Sequence, residues 1–237
     1  MIAQLYLHRN LREKYIKPFN LYKKIYNDKI LNLFSNIEDE AKEIANNYYY
    51  ELGKNFNPNY SDPSDYAEQA QEIGLEYYED MALMEYTTKL ALISNLYQFW
   101  EQQVRHFLYD EIKKSQHIPV NRGKEIPYQN FGTSIVPIKN FFMIFGQNIE
   151  QLSSWETIDE LRVLSNVIKH GDGNSAVDLA RKNPNFLKSE YSDINLLELY
   201  GTTLNERVLN FKEISFDRYA DALIEFWNEL PERMFAN

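Results

Sequence analysis

Within LRVLSNVIKHGDGNSA, residues 161–176, Arg162, Asn166, Lys169 and His170 bring a fixed positive fork, an amide, an ammonium and a group that titrates near neutral pH. Arg162, Asn166 and His170 recur every four residues, so on a helix they form one stripe. Leu161, Val163, Leu164, Val167 and Ile168 take the adjoining arc, the face expected to be core. The polar stripe drifts towards the edge of that arc, where half-desolvated groups have tunable proton affinity. A second pair, Glu101 and Arg105, lies four residues apart in LYQFWEQQVRHFLYDEI, residues 96–112, beside an apolar arc of Tyr97, Trp100, Val104, Phe107 and Leu108. Together these groups suit an anionic ligand and a proton transfer. Each also has a plain structural role. Arg162 can pair with Asp159, Glu101 with Arg105, and Lys169 and His170 can serve as cations at a helix C-terminus closed by Gly171. His106 faces the other way and is expected at the solvent.

The elements that carry these residues read as helices. Residues 37–52 form one, ended by Gly53. Residues 55–65 read as a loop, and 66–115 as one very long helix or two broken near Gly74. A loop at 116–134, with Arg122 and Lys124 as candidates to fold over the site, precedes a helix at about 138–149. Ser153 and Glu156 suggest a capping box for helix 154–170, and Ser175 and Asp178 another for a short helix before Pro184. The last helix follows Ser215 and aligns Phe216, Tyr219, Leu223, Trp227 and Leu230. LLELYGTTLNERVLNF, residues 196–211, is read as a small hairpin. The fold class expected is an all-α helical bundle with antiparallel core helices and extra N- and C-terminal helices. One domain is expected over 1–237, with an N-terminal helical region at 1–63, a core bundle at 64–185 and a C-terminal extension at 186–237.

Composition excludes several classes. With no Cys, thiolate chemistry and disulfides are impossible. The histidines at 8, 106, 117 and 170 lack ligand spacing, and no phosphate-loop, dinucleotide or zinc-protease motif occurs, so neither metal nor cofactor is expected. No apolar run can span a bilayer and the N-terminus has no signal-peptide pattern, which implies a cytoplasmic protein without membrane association. The net charge of −10 argues against a broad nucleic-acid-binding face but leaves room for a narrow positive cleft. Charge is uneven. Residues 62–85 hold Asp62, Asp65, Glu68, Glu72, Glu76, Glu79, Asp80 and Glu85 with no basic residue, a docking face for a basic protein partner.

Asn166, Lys169, His170 and Gly171, as N-x-x-K-H-G after an earlier helix with W-E-x-x-x-R, resemble the HEPN superfamily of small helical bundles. The family's hallmark is an arginine, then a polar residue that is often asparagine, then a histidine. Here Ser165 stands directly before Asn166, and Arg162 is the nearest upstream arginine. The resemblance implies a metal-independent endoribonuclease of a toxin–antitoxin or phage-defence system, acting on RNA as a homodimer. His170 would be its acid or base, Asn166 its positioning donor, Arg162 or Arg105 its phosphate clamp, and Glu101 and Lys169 supporting groups. The alternative it implies is a non-catalytic interaction or regulatory module.

Overall fold

The computed structural model describes residues 3–54, 56–57, 59–115, 120–121, 124–189 and 194–236. The chain is all-α, with two small sheets. Its elements are β1 (Gln4–Tyr6), α1 (Arg9–Ile25), a π turn (Tyr26–Ile30) continued by α2 (Leu31–Leu33), α3 (Ile37–Gly53), α4 (Pro63–Lys114), β2 (Val120–Asn121), β3 (Lys124–Glu125), α5 (Ile135–Ile144), α6 (Trp155–His170), α7 (Asn174–Lys182), α8 (Leu196–Tyr200), α9 (Phe216–Glu229) and β4 (Arg233–Phe235). β1 pairs antiparallel with β4, Leu5 facing Met234, and β2 pairs with β3. No helix is long and apolar enough to cross a membrane, among the described residues.

The chain divides into two compact units, one of Met1–Lys23 with Leu90–Asn237 and one of Lys24–Lys89. The second unit is built on α3 and the first half of α4. Gly74 makes their close approach possible, since a Cβ there would stand 2.9 Å from the Ala41 carbonyl oxygen and from the Ala45 methyl. The glycine that sequence offered as a breaking point is therefore a crossing point, and 63–114 is one helix. Phe34, Ile37 and Ala82 form a small core there, and the Tyr77 hydroxyl donates to Glu40 at 2.8 Å.

In the first unit, α6 is the central helix. Leu161, Leu164, Val167 and Ile168 are buried as expected, and α6 packs on α7 and α9. The aligned residues of α9, Phe216, Tyr219, Leu223, Trp227 and Leu230, are all buried, and Ser215 caps that helix by accepting from the Arg218 amide at 3.2 Å. α1 contributes Tyr15, stacked on Trp227 with centroids 4.4 Å apart. α1 is tied to α9 as well, because the Arg12 guanidinium donates to the carbonyls of Trp227, Asn228 and Leu230 at the end of α9.

Four local expectations are corrected. Residues 196–211 form no hairpin: Asn195 accepts from the Leu197 amide and nucleates α8, which Gly201 closes with a left-handed φ of 70°. α5 runs over 135–144 and not to 149, because Gly146, at φ 72°, turns the chain. The start of α7 has no capping box; Gly173 precedes it and Asp178 pairs with Arg181 instead. Finally, Ser153 and Glu156 do not cap α6.

That cap comes from α9. Glu229 accepts from the amides of Ser153 at 2.6 Å and Ser154 at 3.2 Å, and from the Ser154 hydroxyl at 2.5 Å. Burial pushes the Glu229 carboxyl up, but these hydrogen bonds outweigh it and hold the group below the usual carboxylate range. A depressed carboxyl stabilises the fold above its unfolded pKa, and that stability is lost as pH falls through the folded value. Glu229→Gln is therefore expected to lower the melting temperature at pH 7, with a smaller gap from the parent at an acid pH below the ordinary carboxylate range, read by thermal denaturation at both. A gap that is the same at both pH values would contradict this account of the cap.

Candidate functional site

Tyr97, Gln98 and Glu101 of α4, Arg162, Ser165, Asn166 and Lys169 of α6, and the segment Thr133 to Ile135 leading into α5 line a cleft of about 250 Å³. α4 is fixed against α6 by a buried pair of serine hydroxyls, Ser94 and Ser165, 3.0 Å apart, with the Gln98 amide donating to Ser94 at 3.0 Å. Four groups singled out in the sequence thus line one cleft: Glu101 from α4, and Arg162, Asn166 and Lys169 from α6.

Their electrostatics differ. The Tyr97 hydroxyl donates to Glu101 at 3.0 Å. Burial pushes the Glu101 carboxyl above the ordinary range, and the Tyr97 hydrogen bond with the charges of Lys169, Arg105 and Arg162 only partly reverses it. Burial, with Glu101 alongside, likewise raises the Tyr97 phenol. Arg162 donates to Asp159 at 2.8 Å, and Lys182 of α7 holds the other Asp159 oxygen at 2.6 Å. Burial opposes the Asp159 charge, but those two cations keep its carboxyl below the usual value. The ion pair one turn back is therefore present, and it fixes the guanidinium at the mouth of the cleft. Asn166 has no polar partner among the described residues.

Two expected members stand apart. Arg105 does not bridge Glu101; its guanidinium donates to the carbonyls of Phe131 and Tyr128 and lies 4.4 Å from the Tyr128 ring centroid. It thus anchors the segment whose Gly132, at φ 57°, turns the chain towards Thr133 and Ser134. His170 does not line the cleft. It is exposed at the last position of α6 and has no polar partner among the described residues. His106 is exposed and 3.3 Å from Asp110, as its solvent-facing assignment requires. Arg122 lies outside the described residues, as does the Lys124 side chain.

The end of α6 is held by residues 201–203, part of the segment that the sequence reads as a hairpin, and that contact has no local signal. The Thr203 hydroxyl donates to the Ile168 carbonyl at 2.8 Å, the Gly171 amide to Val167 at 2.8 Å, and the Asp172 amide to Gly201 at 3.1 Å. Gly171 has φ 71° and ψ −142°, and a Cβ there would stand 2.3 Å from the Gly201 carbonyl oxygen. Gly171→Ala is expected to lower stability by on the order of 1–3 kcal/mol from backbone strain alone, with the clash added, read as a fall in melting temperature. Unchanged melting would show that this contact does not fix the helix end.

Among the described residues, no group of three or more His, Asp or Glu side chains is placed to hold a metal ion. A second polar centre is structural. Glu160, buried in α6, accepts from the Tyr219 hydroxyl at 2.6 Å and from Arg218 at 2.6 Å. No family model, curated protein or solved structure matches the chain.

Proposed function

We propose that the protein is a HEPN-like, metal-independent endoribonuclease that acts as a homodimer, with the polar stripe of α6 from each copy forming the site. What supports this reading is one grouping: Glu101, Arg162, Asn166 and Lys169 line one cleft, and the exposed His170 follows Lys169 in sequence. In such a site the 2′-hydroxyl oxygen of a ribose attacks the adjacent phosphorus and the bond to the 5′-oxygen breaks, leaving a 2′,3′-cyclic phosphate and a 5′-hydroxyl. A base takes the 2′-hydroxyl proton and an acid gives one to the departing oxygen. His170 carries one of these protons, Arg162 and Lys169 neutralise the phosphorane, and the Asn166 amide donates to a phosphate oxygen. In this reading Glu101, whose carboxyl is raised by burial, takes the 2′-hydroxyl proton and His170 gives one to the departing oxygen.

The test is product analysis in EDTA. Cyclic-phosphate and 5′-hydroxyl ends are expected, and Glu101→Gln is expected to remove a limb of the pH–rate profile that rises through a value above the ordinary carboxylate range. Products with 5′-phosphate ends would contradict the mechanism.

A second reading, a non-catalytic interaction module of the same family, is favoured by Ser165. Its hydroxyl is spent on Ser94 inside the packed α4–α6 contact, and a serine offers phosphate no charged bidentate fork. In that case RNA is neither cut nor bound tightly, and His170 acts only as a helix-end cation.

A further inference from the structure

Residues 24–89 carry 14 acidic and 5 basic side chains, a net charge of −9 out of the chain's −10. Nearly the whole charge of the protein thus resides in the unit built on α3 and the first half of α4, residues that the proposed RNA site does not use. That unit buries little. A groove of about 600 Å³ runs between α3 and α4, with Tyr49, Leu75 and Tyr78 among its walls and Ala41, Ala70 and Gly74 among its small residues. Leu75 is 54% exposed and Tyr49 45%. Beyond the small cluster of Phe34, Ile37 and Ala82 the two packed helices leave their seam open, and an open apolar trough there is the place a further helix would occupy.

Charge decides which helix. Leu75 is also a wall of a second cavity, of about 560 Å³, and that one is lined by Glu72, Glu76 and Glu79. These three exposed carboxylates follow one side of α4 at spacings of three and four residues, so they form a ladder parallel to the apolar trough. We infer that this groove docks an amphipathic helix of a protein partner, its apolar stripe in the trough over Leu75 and its flank of lysines or arginines against Glu72, Glu76 and Glu79. Nucleic acid and anionic lipid are repelled by the same ladder, and an acidic helix meets like charge along its whole flank. The neighbouring positions suit such an occupant, since helix-in-groove recognition reads apolar anchors spaced as on one helical face. The inference stands on this unit alone and does not depend on RNA cleavage.

The experiment uses the full chain and a fluorescent helix-forming peptide of about 20 residues, roughly 30 Å long, with leucines at i, i+3, i+4 and i+7 and lysines along one flank. A control peptide keeps the leucines and replaces the lysines with glutamates. Fluorescence anisotropy is expected to show saturable binding of the basic peptide that weakens with salt, and no binding of the acidic one. Combined Glu72→Gln, Glu76→Gln and Glu79→Gln substitutions are expected to raise the Kd by roughly tenfold and to flatten the salt dependence. Leu75→Lys, at an exposed position that leaves the fold intact, is expected to remove binding. Equal affinity for both peptides, an unchanged Kd in the glutamine variant, or no saturation below about 10⁻⁴ M overturns the inference. So does a chain that self-associates and becomes monomeric with Leu75→Lys, because the groove is then filled by a second copy.

Discussion

Leu164→Asp is expected to leave the chain without a cooperative melt, insoluble or unfolded. Leu164 is fully buried on the central helix of its unit. Its truncation alone would cost about 2–5 kcal/mol through lost burial and the cavity left behind. The carboxylate adds several kcal/mol more, since it is desolvated among the buried Leu161, Val167 and Ile168 of the same helix face. Against a total stability of about 5–15 kcal/mol, the sum is enough to empty the native state. Circular dichroism during heating reads the result, and a soluble variant with the parent's melting temperature would show that this face of α6 is not core.

His170→Ala is expected to do the opposite: abolish RNA cleavage and spare the fold. Removing a positioned acid or base costs typically 10²–10⁴ in rate, whereas an exposed cation at a helix end is worth no more than about 1 kcal/mol. His170 makes no polar contact among the described residues, so its loss leaves no buried group unsatisfied. The arginines then divide. Arg162→Ala is expected to lose cleavage with His170→Ala, because Arg162 lines the cleft beside Asn166 and Lys169. Arg105→Ala acts through the 128–134 segment, freeing the carbonyls of Tyr128 and Phe131 that it now holds. Its signature is a larger effect on KM than on kcat.

The helical fold was legible because its signals are local. The apolar arc of α6 and the stripe of α9 repeat at helical period, and Gly171 and Ser215 mark true ends, while Gly53 is the last residue of α3 and Lys54 its cap. What escaped was whatever depends on a distant partner. The cap of α6 is Glu229, 75 residues away from Ser154 in sequence, and no local pattern announces it. Local capping motifs at Ser153 and Ser175 lost to tertiary contacts and to a glycine. β1 was missed because a three-residue strand has too few positions for alternation to show, and it exists by pairing with β4 at the other end of the chain.

The candidate site divides along the same line. Four-residue spacing brought Arg162 and Asn166 to one stripe, and α4 brought Glu101 to meet it, so the cleft wall was readable. Spacing could not show that Arg105 turns towards backbone carbonyls. Nor could it show that Ser165 is spent on Ser94, because both facts require knowing which helix lies opposite. Gly171 was read as a cap and is one, but the closer reason for a glycine there is the Gly201 carbonyl, which lies 30 residues on.

One measurement bears most directly on the proposed activity. End-labelled single-stranded RNA is incubated with the purified full chain in EDTA, beside His170→Ala prepared identically, and the products are resolved by length and end group. The proposed site predicts cleavage by the parent that EDTA does not diminish, ends in 2′,3′-cyclic phosphate, and falls by at least about 10² in His170→Ala. Cleavage that disappears in EDTA, or that persists in His170→Ala, would contradict it, and no cleavage by either protein would leave the interaction module as the function of this fold.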